Sequence, residues 1–359
     1  MLGVVFGWWE TRLVLGLTGL MLLSVVQAHA QDRGPPPALN VPVRCHIGAD
    51  CFVQNYVDVD PGSGMQDFAC GRLTYDGHKG VDFRLTDLAA MRRGVTVVAA
   101  AAGTVTRTRD GVADVSIRQS GRAPEGKEAG NAVVIDHGNG WETQYSHLLQ
   151  GSVTVRPGDR VEAGRPLGRI GLSGNTEFPH VDFGVRRAGQ GIDPYTGRVI
   201  GTTAQDSPAL PAPALPACNS DGGIPIGALW SDQARRTLVY RPSALLGAGL
   251  ARETPKADTA RDGGYGQPLP AGPGPLGVWV ELMGGRRGDA VTVEAIGPNG
   301  QRLHRLTGTV PRPLAVLFIN ADIRPPNADP WPTGVYRVMV TLRHEGETVL
   351  QEERRVELR

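Results

Sequence analysis

Aromatic residues are scarce in this chain, with Phe, Trp and Tyr making up 6% of 359 residues. Lysine is scarcer: Lys79, Lys127 and Lys256 are the only three among 37 cationic side chains. Cations and 36 acidic residues balance to a formal charge of +1, so no broadly basic surface exists and nucleic acid is not an expected partner. The four cysteines include no C-x-x-C spacing, which argues against a thiolate zinc site. There is no G-x-S-x-G and no glycine-rich loop leading into Lys-Ser or Lys-Thr, which excludes a nucleophile elbow and a phosphate cradle. No segment keeps a helical period for three turns, so a helical bundle is excluded as well.

Glycine and proline, by contrast, are abundant, at 49 and 28 residues, well above the usual combined share of about 12% and without a collagen period. The chain begins with a 14-residue apolar run, Leu13 to Val26, after Arg12 and before Ala28-His29-Ala30. This reads as a secretory signal over 1–30, cut after Ala30. The run is short for a spanning helix, which needs about 20 apolar residues, so an uncleaved membrane anchor is the minor alternative. A periplasmic or secreted location follows, and there an even number of cysteines reads as two disulfides. Of the three possible pairings, Cys45 with Cys51 and Cys70 with Cys218 is preferred.

A Pro-rich lead-in (31–44) precedes short apolar runs divided by Gly turns, including Val95-Ala102, Asn131-Asp136, Ser152-Val155 and His180-Val185. Their spacing predicts an all-β domain over 45–202. A Pro/Ala-rich linker is expected at 203–224. Beyond it, Val278-Met283, Ala290-Ile296, Leu314-Ile319, Val335-Leu342 and Thr348-Leu358 recur between Gly-Gly, Pro-Asn-Gly and Pro-Thr-Gly turns, predicting a small immunoglobulin-like β-sandwich domain over 225–359.

Three of the eight histidines fall in informative segments. His78 and Asp82 form H-x-x-x-D; a straight strand would part them by about 13 Å, too far for one metal, and Gly80 is expected to supply a bend. His147 sits in Tyr145-Ser146-His147-Leu148. His180 and Asp182 stand at i and i+2, so on a strand they share one face about 6–7 Å apart, while Val181 and Phe183 pack behind. His137 is expected to support its His-Gly-Asn-Gly turn, and Glu177 to be a rim charge.

In order, spacing and flanking residues these segments resemble the M23 (LytM/lysostaphin-type) metallopeptidases over about residues 70–198. The family pattern is H-x-x-x-D, then H-L after Tyr-x, then H-x-H, and the connecting text matches too: Val155-Arg156-Pro157-Gly158-Asp159, Gly171-Leu172-Ser173-Gly174 and Asp193-Pro194. The resemblance implies a LytM-like antiparallel sheet and a zinc enzyme that hydrolyses peptide bonds of bacterial peptidoglycan. It implies metal ligands at His78, Asp82 and position 182, with His147 and His180 in general-base and transition-state roles. No separate cofactor-binding residues are implied.

The chain departs from the family at position 182, where Asp replaces the usual His. A carboxylate binds Zn²⁺ at about 2.0–2.2 Å but is shorter than imidazole and harder, so weaker zinc affinity, or use of another divalent metal, is expected. Two readings follow: an exported metallo-endopeptidase, or a degenerate relative that binds peptidoglycan or activates another cell-wall hydrolase or envelope protein.

Overall fold

The computed structural model describes residues 35–202, 218–325 and 330–359. The expected signal segment, the start of the lead-in and most of the expected linker lie outside them. Among the described residues no helix is long and apolar enough to cross a membrane, and none exceeds six residues.

Ten strands make up the N-terminal part: β1 (Cys51–Asn55), β2 (Gly80–Leu85), β3 (Thr96–Val98), β4 (Gly103–Arg109), β5 (Asn131–Gly138), β6 (Trp141–Leu148), β7 (Arg160–Val161), β8 (Pro166–Arg169), β9 (His180–Arg187) and β10 (Gln190–Ile192). Eight form one antiparallel sheet in the order β1-β2-β9-β6-β5-β4-β7, with β10 on β9; β3 and β8 pair separately. The period-2 pattern gives the sheet two different faces. On one, Val81 and Phe83 pair with Phe183 and Val181, and Tyr145 and Val133 continue the apolar layer. The other carries Asp82, Arg84, His180, Asp182 and Ser146. A slip of one residue would exchange the faces, so burial of the phenylalanines fixes the register that presents the polar set.

Ser152-Val155 is not a strand. Its Thr154 donates one backbone bond to Leu167 O, and Ser152 Oγ accepts from Arg169 N, without a continuous ladder.

Seven more strands follow: β11 (Ala244–Ala251), β12 (Leu276–Gly285), β13 (Ala290–Ile296), β14 (Arg302–Thr309), β15 (Leu314–Ile323), β16 (Gly334–His344) and β17 (Glu347–Leu358). They form two antiparallel sheets, β11-β12-β15 and β14-β13-β16-β17. Leu245, Val278, Val280 and Leu282 of one meet Val293, Val338, Val340 and Val356 of the other in a sandwich core.

Part of the outer face of the three-stranded sheet is apolar as well. Ala244, Leu246 and Met283 belong to the core of the N-terminal part, together with Leu39, Val43, Leu229, Trp230, Ala234 and Leu238. Trp230 lies 5.7 Å from the Phe183 ring and 5.5 Å from Tyr195. Both expected disulfides are present, Cys45–Cys51 and Cys70–Cys218.

Candidate metal centre

Four adjacent strands carry one polar row. Asn55 on β1 pairs in register with Asp82 on β2, Asp82 with Asp182 on β9, and Asp182 with Ser146 on β6. Directly opposed carboxylates are unfavourable in a sheet, so this row calls for a cation.

His78 joins the row from the turn before β2. Its Nε2 lies 3.4 Å from Asp82 Oδ1. The ligand atoms of His78, Asp82 and Asp182 all lie within 4.8 Å of one another. Gly80 lies in β2, opposite Gly184, and is no bend; the turn at Gly77, φ +75°, comes before His78. Gly80 has a different use: a Cβ there would stand 1.7 Å from Asp182 Oδ1. Its missing side chain is the space into which the short carboxylate leans.

Three buried atoms in this cluster have no hydrogen-bond partner: His78 Nε2, Asp82 Oδ1 and Asp182 Oδ1. Buried polar atoms are otherwise almost always paired. The three point at one another and combine imidazole with two carboxylates, a donor set that suits Zn²⁺ or a harder divalent ion. The residues present therefore fit a metal.

The electrostatics agree. Burial pushes the Asp182 carboxyl up, the adjacent Asp82 adds to this against the pull of His78, His180 and Arg186, and the result is about 6. Burial acts on Asp82 in the same sense, but His78, His180 and the Asn55 bond hold its carboxyl well below the usual range. Burial disfavours the charge on His78, yet the carboxylates around it raise its pKa.

Two further imidazoles face the cluster. His147, the last residue but one of β6, has φ +63°, a left-handed backbone that non-glycine residues rarely adopt and that concentrates at functional sites. Its Nδ1 is 2.7 Å from Ser173 O. A carbonyl only accepts, so Nδ1 carries the hydrogen and Nε2 keeps a free lone pair. His180 is held in the same way, Nδ1 donating to Phe178 O at 2.9 Å, with Thr176 Oγ1 at 3.0 Å. Its Nε2 lies 3.6 Å from Asp82 Oδ1, and the two rings are 4.6 Å apart. Burial and the neighbouring His180 push His147 down to about 3, so it is neutral at physiological pH.

All five residues singled out from the sequence thus meet in one place. Asn55, whose Nδ2 donates to Asp82 Oδ2 at 2.6 Å, was not foreseen; it lies 27 positions upstream with no motif around it. Ser173 and Phe178 act through backbone carbonyls, which leave no residue-type signal. His137 stays outside the cluster, bonded to Ala102 O and Thr143 Oγ1 at 2.7 and 2.8 Å. Glu177 pairs with Arg118 at 2.6 Å in an exposed position.

Residues 76–194 match the model of Peptidase family M23. These residues are M23-like. The chain is 32% identical over 142 residues to the DD-carboxypeptidase/endopeptidase Mpg of Neisseria meningitidis, covering 40% of this chain and 25% of that protein. It is 37% identical over 65 residues to the murein hydrolase activator EnvC of Escherichia coli, covering 18% of this chain and 15% of that one. Among solved structures, a zinc-containing peptidase from Vibrio cholerae aligns with 23% identity and a TM-score of 0.28, covering 44% of this chain and 39% of the other. The chain spans about a quarter or less of the length of the curated relatives it matches.

Gly80→Ala tests the space beneath Asp182. The new Cβ displaces the carboxylate while the strand pairing persists, and metal affinity is expected to fall about 10- to 100-fold. Isothermal titration with Zn²⁺ and Mn²⁺ checks this. An unchanged affinity would mean that the leaning oxygen is not a ligand.

Proposed function

We propose that this chain is an exported metallo-endopeptidase that hydrolyses peptide cross-links of bacterial peptidoglycan, with His78, Asp82 and Asp182 holding the metal. The observation that carries this reading is the trio of buried, unpartnered ligand atoms beneath two imidazoles whose free nitrogens are fixed by backbone carbonyls.

When bound, a divalent metal supplies Lewis acidity to a peptide carbonyl and lowers the pKa of a water molecule. The chain's own groups do the rest. Asn55 fixes the Asp82 carboxylate so that Oδ1 faces the cluster. His147, neutral and with Nε2 unprotonated, takes a proton from the attacking water and returns it to the leaving amine. His180, held by Phe178 O, stands beside it and, once its Nε2 carries a proton, donates to the charge developing on the substrate oxygen. The two disulfides support export, because such bonds persist in oxidising compartments.

A second reading is favoured by Asp182 itself. Two carboxylates neutralise more of the ion's charge than one and leave its water less acidic. A domain weakened in this way suits a protein that activates another wall hydrolase, as the name of the Escherichia coli relative says of that protein.

Metal analysis of the purified mature protein, with muropeptide release from purified sacculi, separates the two. The enzyme reading expects about one ion per chain and release, with His78→Ala losing both. Asp182→His is expected to raise zinc affinity. No bound metal and no release, with stimulation of a second hydrolase, would replace the first reading by the second.

A further inference from the structure

One position beside the candidate centre is left empty by the sequence. Next to the pair Asp182–Ser146, Gly184 on β9 stands between Gly80 on β2 and Gln144 on β6, and the pair after that is Arg186 with Glu142. Residues two apart on a strand share a face, so Gly184 and Arg186 lie on the face that carries Asp182. Gly184 is about 6–7 Å along the strand from Asp182. The two glycines differ in what occupies their space. The room over Gly80 is taken by the Asp182 carboxylate, whereas a Cβ at Gly184 would meet nothing within 4 Å. Glycine within a strand weakens it and often marks a place where a ligand or another backbone comes close. Here it leaves an opening in the polar face of the sheet.

The edge of this opening is built from bonded polar groups. Arg186 Nη2 donates to Gln144 Oε1 at 2.6 Å, although Gln144 is the cross-strand partner of Gly184 and not of Arg186. The guanidinium is therefore drawn back along the strand towards the candidate ligands. Gln144 Nε2 in turn donates to Ser146 Oγ at 2.9 Å, and Ser146, opposite Asp182, is buried. Arg186 is only loosely matched by acid. Its Nε lies 3.7 Å from Glu142 Oε2, and Glu142 is shared with Arg107, whose Nη2 is 3.4 Å from Oε1. Two cations on one carboxylate leave a positive charge over. Arg186 Nη1 makes no hydrogen bond among the described residues, and the side chain is 30% exposed.

We infer that the opening over Gly184 is a subsite for a carboxylate of the substrate peptide, and that Arg186 is the specificity-determining residue that binds it. A guanidinium presents its donors as a planar fork that matches a carboxylate. Asp82 and Asp182 do not repel the incoming anion when a divalent ion balances their charge. An extended residue spans about 3.3–3.6 Å, so a carboxylate about 6–7 Å from Asp182 belongs to a residue within about two positions of the bond that is cut. Wall peptides offer such a group beside the cross-link and at the chain end. The inference deepens the proposed function and rests on it for its catalytic readout, but not for its binding readout.

The test uses the full chain loaded with Zn²⁺ and a synthetic cross-linked wall peptide in three forms: free acid, amidated beside the cross-link, and amidated at the chain end. Turnover gives kcat and KM; calorimetry in a His147→Asn background gives affinity without cleavage. Amidation at one of the two places is expected to weaken binding and raise KM about 10- to 100-fold, and so to name the carboxylate. Arg186→Gln is expected to handle all three forms as poorly as wild type handles that amide, with kcat and metal content unchanged. The inference falls if wild type is indifferent to both amides, or if Arg186→Gln keeps the preference. It falls equally if Arg186→Gln lowers kcat while KM holds, since Arg186 then acts on the chemistry. Should wild type cleave nothing while Arg186→Gln abolishes a calorimetric preference for the acid, the proposed hydrolysis fails and the subsite stands. Should Arg186→Gln not fold, Gly184→Val, which fills the opening and keeps Arg186, decides by the same preference: its loss upholds the subsite and its survival overturns it.

Discussion

His147→Asn is expected to bind metal as the wild type does and to lose about two to four orders of magnitude in kcat, the usual contribution of a positioned general base. Asparagine is the informative replacement because it tolerates the left-handed backbone found at this position, φ +63°, and so spares the fold. It cannot serve as a base at neutral pH. His147 is no ligand in the proposed site, and its ring is oriented by Ser173 O rather than by a carboxylate of the cluster. Metal content and turnover should therefore separate cleanly. The measurement is muropeptide release at saturating substrate alongside metal analysis of the same sample. Equal turnover would remove His147 from the mechanism, and joint loss of metal and turnover would make it a ligand.

The second large effect concerns stability. Cys70 and Cys218 are 148 positions apart, whereas Cys45 and Cys51 are separated by six. In the chain-entropy account, closing the longer loop removes about 5 kcal/mol of unfolded-state freedom and the shorter about 2 kcal/mol. Since folded domains are stable by only about 5–15 kcal/mol, Cys70→Ser with Cys218→Ser is expected to bring the protein close to unfolding. The Cys45→Ser, Cys51→Ser pair is expected to leave a measurable transition. Urea unfolding followed by fluorescence compares them. Equal midpoints would show that the residues after Cys218 are held by packing and not by the bridge. Packing is substantial there: Asn219 donates to Phe68 O at 2.6 Å, and Tyr240 to Asp67 Oδ2 at 2.9 Å.

The candidate site residues are legible in the sequence because each stands in a local pattern that survives without knowledge of the fold. His78, Asp82, His147, His180 and Asp182 could be placed by motif, and the alternation on β9 already put His180 and Asp182 on one face. The all-β class and both disulfides were legible too. What escaped depends on distance in the chain. β11 (ALLGAGLA) lies within a stretch that reads as Gly- and Pro-rich, and both its faces are buried, so it lacks alternation. β14 carries Arg302, His304 and Arg305 at an exposed edge and shows little apolar signal. Ser152-Val155 has the composition of a strand but finds no ladder. Gly80 appeared to be a hinge because glycines often are; its actual service, making room for Asp182, depends on a strand a hundred residues later. The seat of Met283 in the N-terminal core has no motif at all, since it exists only once two sheets meet.

That meeting bears on how the molecule could be divided. Its two parts are joined by more than a covalent thread, because Met283, Leu246 and Ala244 fill the same interior as Leu39, Leu229 and Trp230. Severing the chain after residue 202 would strip Phe83, Phe183 and Tyr195 of the indole they pack on and bare an apolar wall to water. The boundary a geneticist would draw at the proline run therefore cuts through a shared foundation, and swapping the sandwich for a foreign module would exchange part of the N-terminal part's own floor.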